Sequence, residues 1–249
     1  MSGPLAAARS LLTREKVRDY RNTVILQIAI LTVQLLLEDL LILIGLTPPM
    51  ALLRPLFYGL SGIYLLFLWD LFRNFQPARW LLRGSQAALI LAFSTLVLLD
   101  VVWASGEYSK QGWRLASHLA IFGFQVAVIS AALKDLFEGP RESADKLWGS
   151  ACIYFMTGFA FAGFYYCVFL INPLAFGKQL DASAWGFFEA LYLSMTTLIG
   201  LDNIYGDAIR LVRNATLVEG TWGQLYLVLL IGRLLAPESE ETPQPSSSD

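Results

Sequence analysis

The sequence predicts an all-α membrane protein: six transmembrane helices, with a shorter re-entrant helix between helices five and six. Three observations carry this. Of 249 residues, 56% are hydrophobic and 15% charged, and the mean hydropathy is +0.55; a soluble domain carries about a quarter charged residues. Six stretches, at 24–46, 51–72, 85–103, 115–133, 149–171 and 215–235, reach the roughly twenty apolar residues that a bilayer core of about 30 Å requires. Between the last two lies "SAWGFFEALYLSMTT" (183–197), apolar and helical in pattern but too short to cross.

Residues 1–23, "MSGPLAAARSLLTREKVRDYRNT", are basic and too charged for a cleaved signal peptide. They are expected as a cytoplasmic segment, either solvated or lying as a helix on anionic inner-leaflet lipid. Spans one to four (24–133) form a first domain, 134–148 a cytoplasmic linker, and 149–236 a second domain. The acidic, Pro- and Ser-rich tail 237–249 has the composition of a disordered segment.

Orientation follows from Lys and Arg. The N-terminal segment, the 2–3 loop, the 4–5 linker and the C-terminal end hold twelve, against six on the other side. The excess puts both termini in the cytoplasm of a plasma (inner) membrane, so the short helix enters from outside. The net charge of −2 offers no basic surplus for nucleic acid. Cys152 and Cys167 share span five, roughly 22 Å apart by helical rise, too far for a disulfide. No metal-binding or phosphate-loop motif occurs.

Asp181 or Ser183 can cap the short helix. Such a segment is tolerated in a membrane only where protein or a water-filled cavity surrounds its end. A polar stretch, "GLDNIYGD" (200–207), follows it. Here a resemblance enters. "EALYLSMTTLIGLDNIYGD" followed by "LVEGTWGQLYLVLLIGRLL" resembles the potassium-channel pore family, whose bacterial members read ALYFS…TTVGYGD-I and then a span with E-G-x-x-GQLY and an (I/V)-A-R-L ending. The matching residues are Ala190–Ser194 in part, Thr196, Thr197, Glu219, Gly220, Gly223 to Tyr226, Arg233 and Leu234. The resemblance covers about a third of the chain.

It implies a homotetrameric cation channel with a voltage-gated-channel-like topology, conducting K+ or Na+ passively, with lipids around it and no cofactor. Thr196, Thr197, Gly200, Leu201, Asp202 and Asn203 would form the filter. Carbonyls replace the hydration shell of the ion in such filters, and acidic rings favour cations. Against the family pattern the aromatic becomes Leu201, the second glycine Asp202 and the following acid Asn203. A second register takes Tyr205-Gly206-Asp207 as the YGD end. Gly223 is a bending point or a close-packing position, and Glu219 is expected to hold the back of the short helix by a hydrogen bond.

Span four has no basic residue between Arg114 and Lys134, so the charge movement that a voltage sensor needs is absent. Gly139-Pro140 also breaks the following helix. Glu38, Asp39, Asp100 and His118 are intramembrane ionisable residues in the outer half. They read either as partners holding the bundle or as a sensor cluster, with His118 beside a carboxylate. Asp70 pairs with Arg73 at i,i+3.

Two other functions stay open. One is a non-conducting membrane sensor or scaffold that keeps the pore fold. The other is a rhomboid-like intramembrane serine protease, with Ser61 of the string Gly59-Leu60-Ser61-Gly62 as nucleophile and His118 as base. The non-enzyme reading is preferred, because by helical rise His118 lies roughly 7 Å above Ser61.

Overall fold

A computed structural model describes residues 3–45, 50–75, 79–99, 111–138, 143–178, 184–201 and 206–235. These residues form seven α-helices: α1 (Gly3–Leu43), α2 (Met50–Phe75), α3 (Arg79–Val97), α4 (Gln111–Glu138), α5 (Ser143–Ile171), α6 (Ala184–Leu198) and α7 (Arg210–Leu235). All but α6 are long and apolar enough to cross a membrane. The protein is therefore a multi-pass, all-helical membrane protein.

Three boundaries differ from those read off the sequence. α1 is one helix of 41 residues, so the division at 23–24 falls inside it. Its first half is rich in Ala, Leu, Arg, Glu and Lys, all strong helix formers. Its only proline, Pro4, sits in the first turn, where no helical N–H is lost. α4 and α5 likewise extend into the expected linker, leaving only 139–142 outside the helices. α4 stops at Glu138, immediately before Gly139-Pro140. α3 ends at Val97, short of the expected 103, and residues 100–103 are not among those described.

α5 is the axis of the fold. Within its spanning window 78% of residues are buried, against 11–33% in the other five. α1, α4, α6 and α7 all pack on it. Ile153, Met156 and Ala162 of α5 meet Ile30 of α1, Leu68 of α2, Val128 and Ala132 of α4 and Leu191 of α6 in one cluster. A second cluster, at the C-terminal end of α5, joins Tyr165 and Phe169 to Phe176, Leu193 of α6 and Val212 of α7. α3 is peripheral: Ile90 and Leu91 on it are exposed. Near the other end, Asn74 Nδ2 donates to Asp19 Oδ2 at 3.0 Å, tying α2 to α1, and Arg73 pairs with Asp70 at 2.7 Å.

The α5–α6 connection is joined to the start of α7. Ile209 N–H donates to the Ala175 carbonyl at 2.9 Å. Gly177 adopts φ +75°, and a Cβ there would lie 2.6 Å from the Asp207 Cβ and 2.9 Å from its backbone. Glycine is required both for the left-handed backbone and for the close approach. The chain thus leaves α5 and rejoins α7 at one place.

α6 has 15 residues, about 22 Å at 1.5 Å per residue, so it is too short to span. Its C-terminal turn lies beside the middle of both neighbours. Ser194 Oγ is 2.7 Å from the Gly158 carbonyl, half-way along α5. A Cβ on Gly223, half-way along α7, would meet the Leu198 carbonyl at 2.5 Å.

Because α5 carries the packing, Ala162→Leu is expected to destabilise the protein by about 1–3 kcal/mol through overpacking. Leu91→Ala on the exposed face of α3 should stay within about 0.5 kcal/mol. Melting of the two variants in detergent checks the contrast.

Candidate functional site

The turn that ends α6 is held by a buried polar group. Glu219 of α7, Ser194 of α6 and Tyr165 of α5 are all fully buried. Tyr165 donates to Glu219 Oε2 at 2.6 Å, and the Ser194 hydroxyl is hydrogen-bonded to Glu219 Oε1. Ser194 also reaches the Gly158 carbonyl. A hydroxyl has one proton to give, and the carbonyl can only accept. The three contacts are therefore all satisfied when Glu219 donates to Ser194, Ser194 to Gly158, and Tyr165 to Glu219. One carboxyl group thereby joins α5, α6 and α7.

Glycines allow the close approach. Gly220 and Gly223, on the face of α7 turned to α6, lie against the carbonyls of Thr197 and Leu198. Gly158 of α5 faces Met195, whose methyl would be 2.6 Å from an added Cβ. Gly223 is thus a close-packing position in this structure. Below it, the Tyr226 hydroxyl donates to the Ser150 carbonyl at 2.9 Å, and the rings of Trp222, Tyr226 and Tyr154 stack in series. Glu219, Gly220, Gly223 and Tyr226, four residues that carry the sequence resemblance, are among those by which α7 contacts α5 and α6.

The helix ends in a left-handed cap. Gly200 has φ +82°, its N–H donates to the Thr197 carbonyl at 3.0 Å, and the Leu201 N–H donates to the Thr196 carbonyl at 2.9 Å. This pair of bonds is the Schellman motif. The Leu198 carbonyl accepts from the Tyr154 hydroxyl at 3.1 Å. The Thr196 hydroxyl turns back to the carbonyls of Tyr192 and Leu193, and both threonines are buried.

The carbonyls of Thr196 and Thr197 thus each accept a capping bond. The exposed residues at the end of α6 are Ile199, Gly200 and Leu201, and the Gln224 side chain sits against Gly200. Asp202, Asn203 and Tyr205 lie outside the described residues, as do Asp181 and Ser183. Gly206 and Asp207 form a turn leading to α7.

In the front helices the His118 ring packs edge-on against Tyr166, with centroids 4.6 Å apart, and is stacked at 6.0 Å with Phe187. Arg114 lies one turn before it, and both line a cavity that Ser61 also lines. Asp39 is exposed. Asp100 and the side chain of Glu38 are outside the described residues. No hydrogen bond joins Ser61 to His118 among the described residues. The described groups near the imidazole are these two aromatic rings and Arg114. Among the described residues no cluster of His, Cys, Asp and Glu could hold a metal.

Sequence reading did not single out Tyr165, Tyr154, Gly158 or Gly177. The two tyrosines lie 54 and 44 residues from the groups they bond, a separation with no local signature. The signal for Gly158 was its type alone, a small residue in an apolar span.

Glu219→Gln keeps a donor for Ser194 and an acceptor for Tyr165, and is expected to melt close to the native chain. Glu219→Ala loses both interhelical bonds, each worth about 0.6–2 kcal/mol in a membrane, and should melt clearly lower. Gly223→Ala drives a methyl into the Leu198 carbonyl and is expected to cost about 1–3 kcal/mol, read as a lower melting temperature.

Comparison with protein-family models, with curated proteins and with solved structures finds no match to this chain.

Proposed function

We propose that residues 149–236 are the pore module of a homotetrameric cation channel, four copies surrounding one axial path for K+ or Na+. The observation that carries this reading is the course of the chain between α5 and α7. It leaves at Ala175, runs a half-length helix to the middle of both flanking spans, and returns at Ile209. Such a half-crossing excursion presents irregular, polar backbone at membrane depth. That is tolerated only inside protein or beside a water-filled cavity.

Three further features support it. The residues at the inner tip, Ile199 to Leu201, are exposed on the single chain, with Leu201 at 60%. α7 has 22% of its window buried against 78% for α5, leaving a face for neighbouring copies. The matching residues of α7 are also those that fix α6. In this reading both termini are cytoplasmic, the membrane is the plasma (inner) membrane, and lipid covers α3. Thr196, Thr197 and Gly200 to Asn203 would line the path, through backbone carbonyls and the Asp202 carboxylate. The front helices act as a scaffold without charge movement.

The test is ion flux. Purified chain in liposomes is expected to pass K+ or Na+ down its gradient. Asp202→Gly, which restores the second glycine of the family's filter, should shift the reversal potential towards that of K+. An unshifted potential would place the filter at the Tyr205-Gly206-Asp207 register. Protein that moves neither ion would be a membrane sensor or scaffold that keeps this fold.

A further inference from the structure

Between α2 and α3 runs a groove of about 210 Å³. At one end a Cβ on Gly62 would lie 3.1 Å from the Phe93 ring, so the helices touch there. At the other end residues 76–78 connect them. Leu66 and Trp69 of α2 and Gln86 and Ile90 of α3 form the walls between. α3 packs chiefly on α4, and Leu66 and Ile90 are exposed, so the groove opens to the surrounding bilayer. Both walls continue into an arginine. On α2 the row Gly62, Leu66, Trp69, Arg73 keeps the spacing of one helix face. The Arg73 guanidinium lies over the Trp69 ring, 5.7 Å from its centroid. On α3 Phe93, Ile90, Gln86 and Arg83 are spaced likewise, and Arg83 is exposed. Both arginines lie at the end where 76–78 connect the helices. Trp80, also exposed, stands three residues before Arg83, as tryptophans do at a membrane–water boundary.

A groove that is apolar along its length and cationic at its mouth matches a molecule that is apolar along its length and anionic at one end. We infer that it binds one anionic phospholipid, with an acyl chain between α2 and α3 and the phosphate on Arg73 and Arg83. Charge agrees. Asp70 is paired with Arg73 at 2.7 Å and Asp19 with Arg18 at 3.9 Å, so Arg83 brings the excess positive charge, equal to the single negative charge of a phosphodiester. A zwitterionic headgroup brings no net charge to this mouth and is the weaker ligand. Arg73 keeps 55% of its side chain exposed beside Asp70, which leaves it open to a phosphate. Gln86 is the polar residue in an otherwise apolar wall. It lies three residues and about 4.5 Å of helix from Arg83, where ester carbonyls follow the phosphate, and its amide can donate to one. Because the groove opens sideways, only part of the acyl chain enters it and the rest stays in the bilayer. With both termini cytoplasmic, as proposed above, the headgroup lies in the inner leaflet, where anionic lipids gather.

The experiment is native mass spectrometry of the full chain in a neutral detergent, titrated with phosphatidylglycerol or with phosphatidylcholine of the same acyl chains. The expected result is one saturable phosphatidylglycerol per chain, bound about fivefold or more tighter than phosphatidylcholine, the contribution of one arginine near a charged surface. Arg83→Gln should bring the two lipids level. Arg213→Gln, an exposed position on α7, which does not line the groove, should leave the preference intact. Ile90→Trp fills the groove from its exposed rim without removing a charge. It should weaken both lipids while the melting temperature stays within a few degrees. Equal binding of both lipids by the native chain, or a preference that survives Arg83→Gln, would overturn the inference. So would a preference lost equally with Arg213→Gln, which would assign it to general surface charge. Displacement of the lipid by soluble glycerol phosphate would make the mouth a free-anion site. Ile90→Trp leaving lipid binding unaltered and changing the oligomeric state would make the groove a contact between copies. Either result would also sink the lipid assignment.

Discussion

α6 is too short to cross a bilayer, and the contacts that satisfy its last turn organise the packing of α5 and α7 around it. The final carbonyls of α6 have no helical partners of their own, and hydrocarbon offers none. Gly200 and Leu201 fold back onto two of them, and the Tyr154 hydroxyl takes a third. Glu219 then fixes the turn sideways, bonded to Ser194 on one oxygen and to Tyr165 on the other. An acid in this position holds three helices together through its two oxygens.

The same requirement explains the distribution of small residues. In lipid there is little hydrophobic gain from bringing two helices together, so close contact and hydrogen bonding decide which helices meet. Gly158, Gly220 and Gly223 lower the surfaces of α5 and α7 where α6 ends. The large side chains collect elsewhere, around α5 and in the aromatic cavity of the front helices. Packing and polarity are therefore divided between the two halves of the molecule. Direct contacts satisfy the polar groups around Glu219.

Much of the architecture was legible in the sequence because bilayer thickness converts directly into residue counts. Six spans, one short helix and a break at Gly139-Pro140 needed only length and hydropathy. Helix ends in water were harder: nothing in hydropathy says that the polar half of α1 continues as the same helix, and only the run of helix-forming residues does. The position of Glu219 behind α6 could be read, because an acid inside a span needs a partner. Its second partner, Tyr165, could not be, since aromatic residues surround α5 and their periodicity names no single face. The capping at Thr196 and Thr197 was missed for a different reason. A threonine pair before a glycine suits an extended filter and a helix terminus equally well, and the choice depends on Gly200 taking a left-handed backbone.

The bond between Ala175 and Ile209 has a consequence for assembly. It closes the 176–208 segment at its base, which shortens the loop whose ends must be brought together when α6 docks. The junction at Ala175 and Ile209 therefore holds the start of α7 against the end of α5 independently of the course that the chain takes between them.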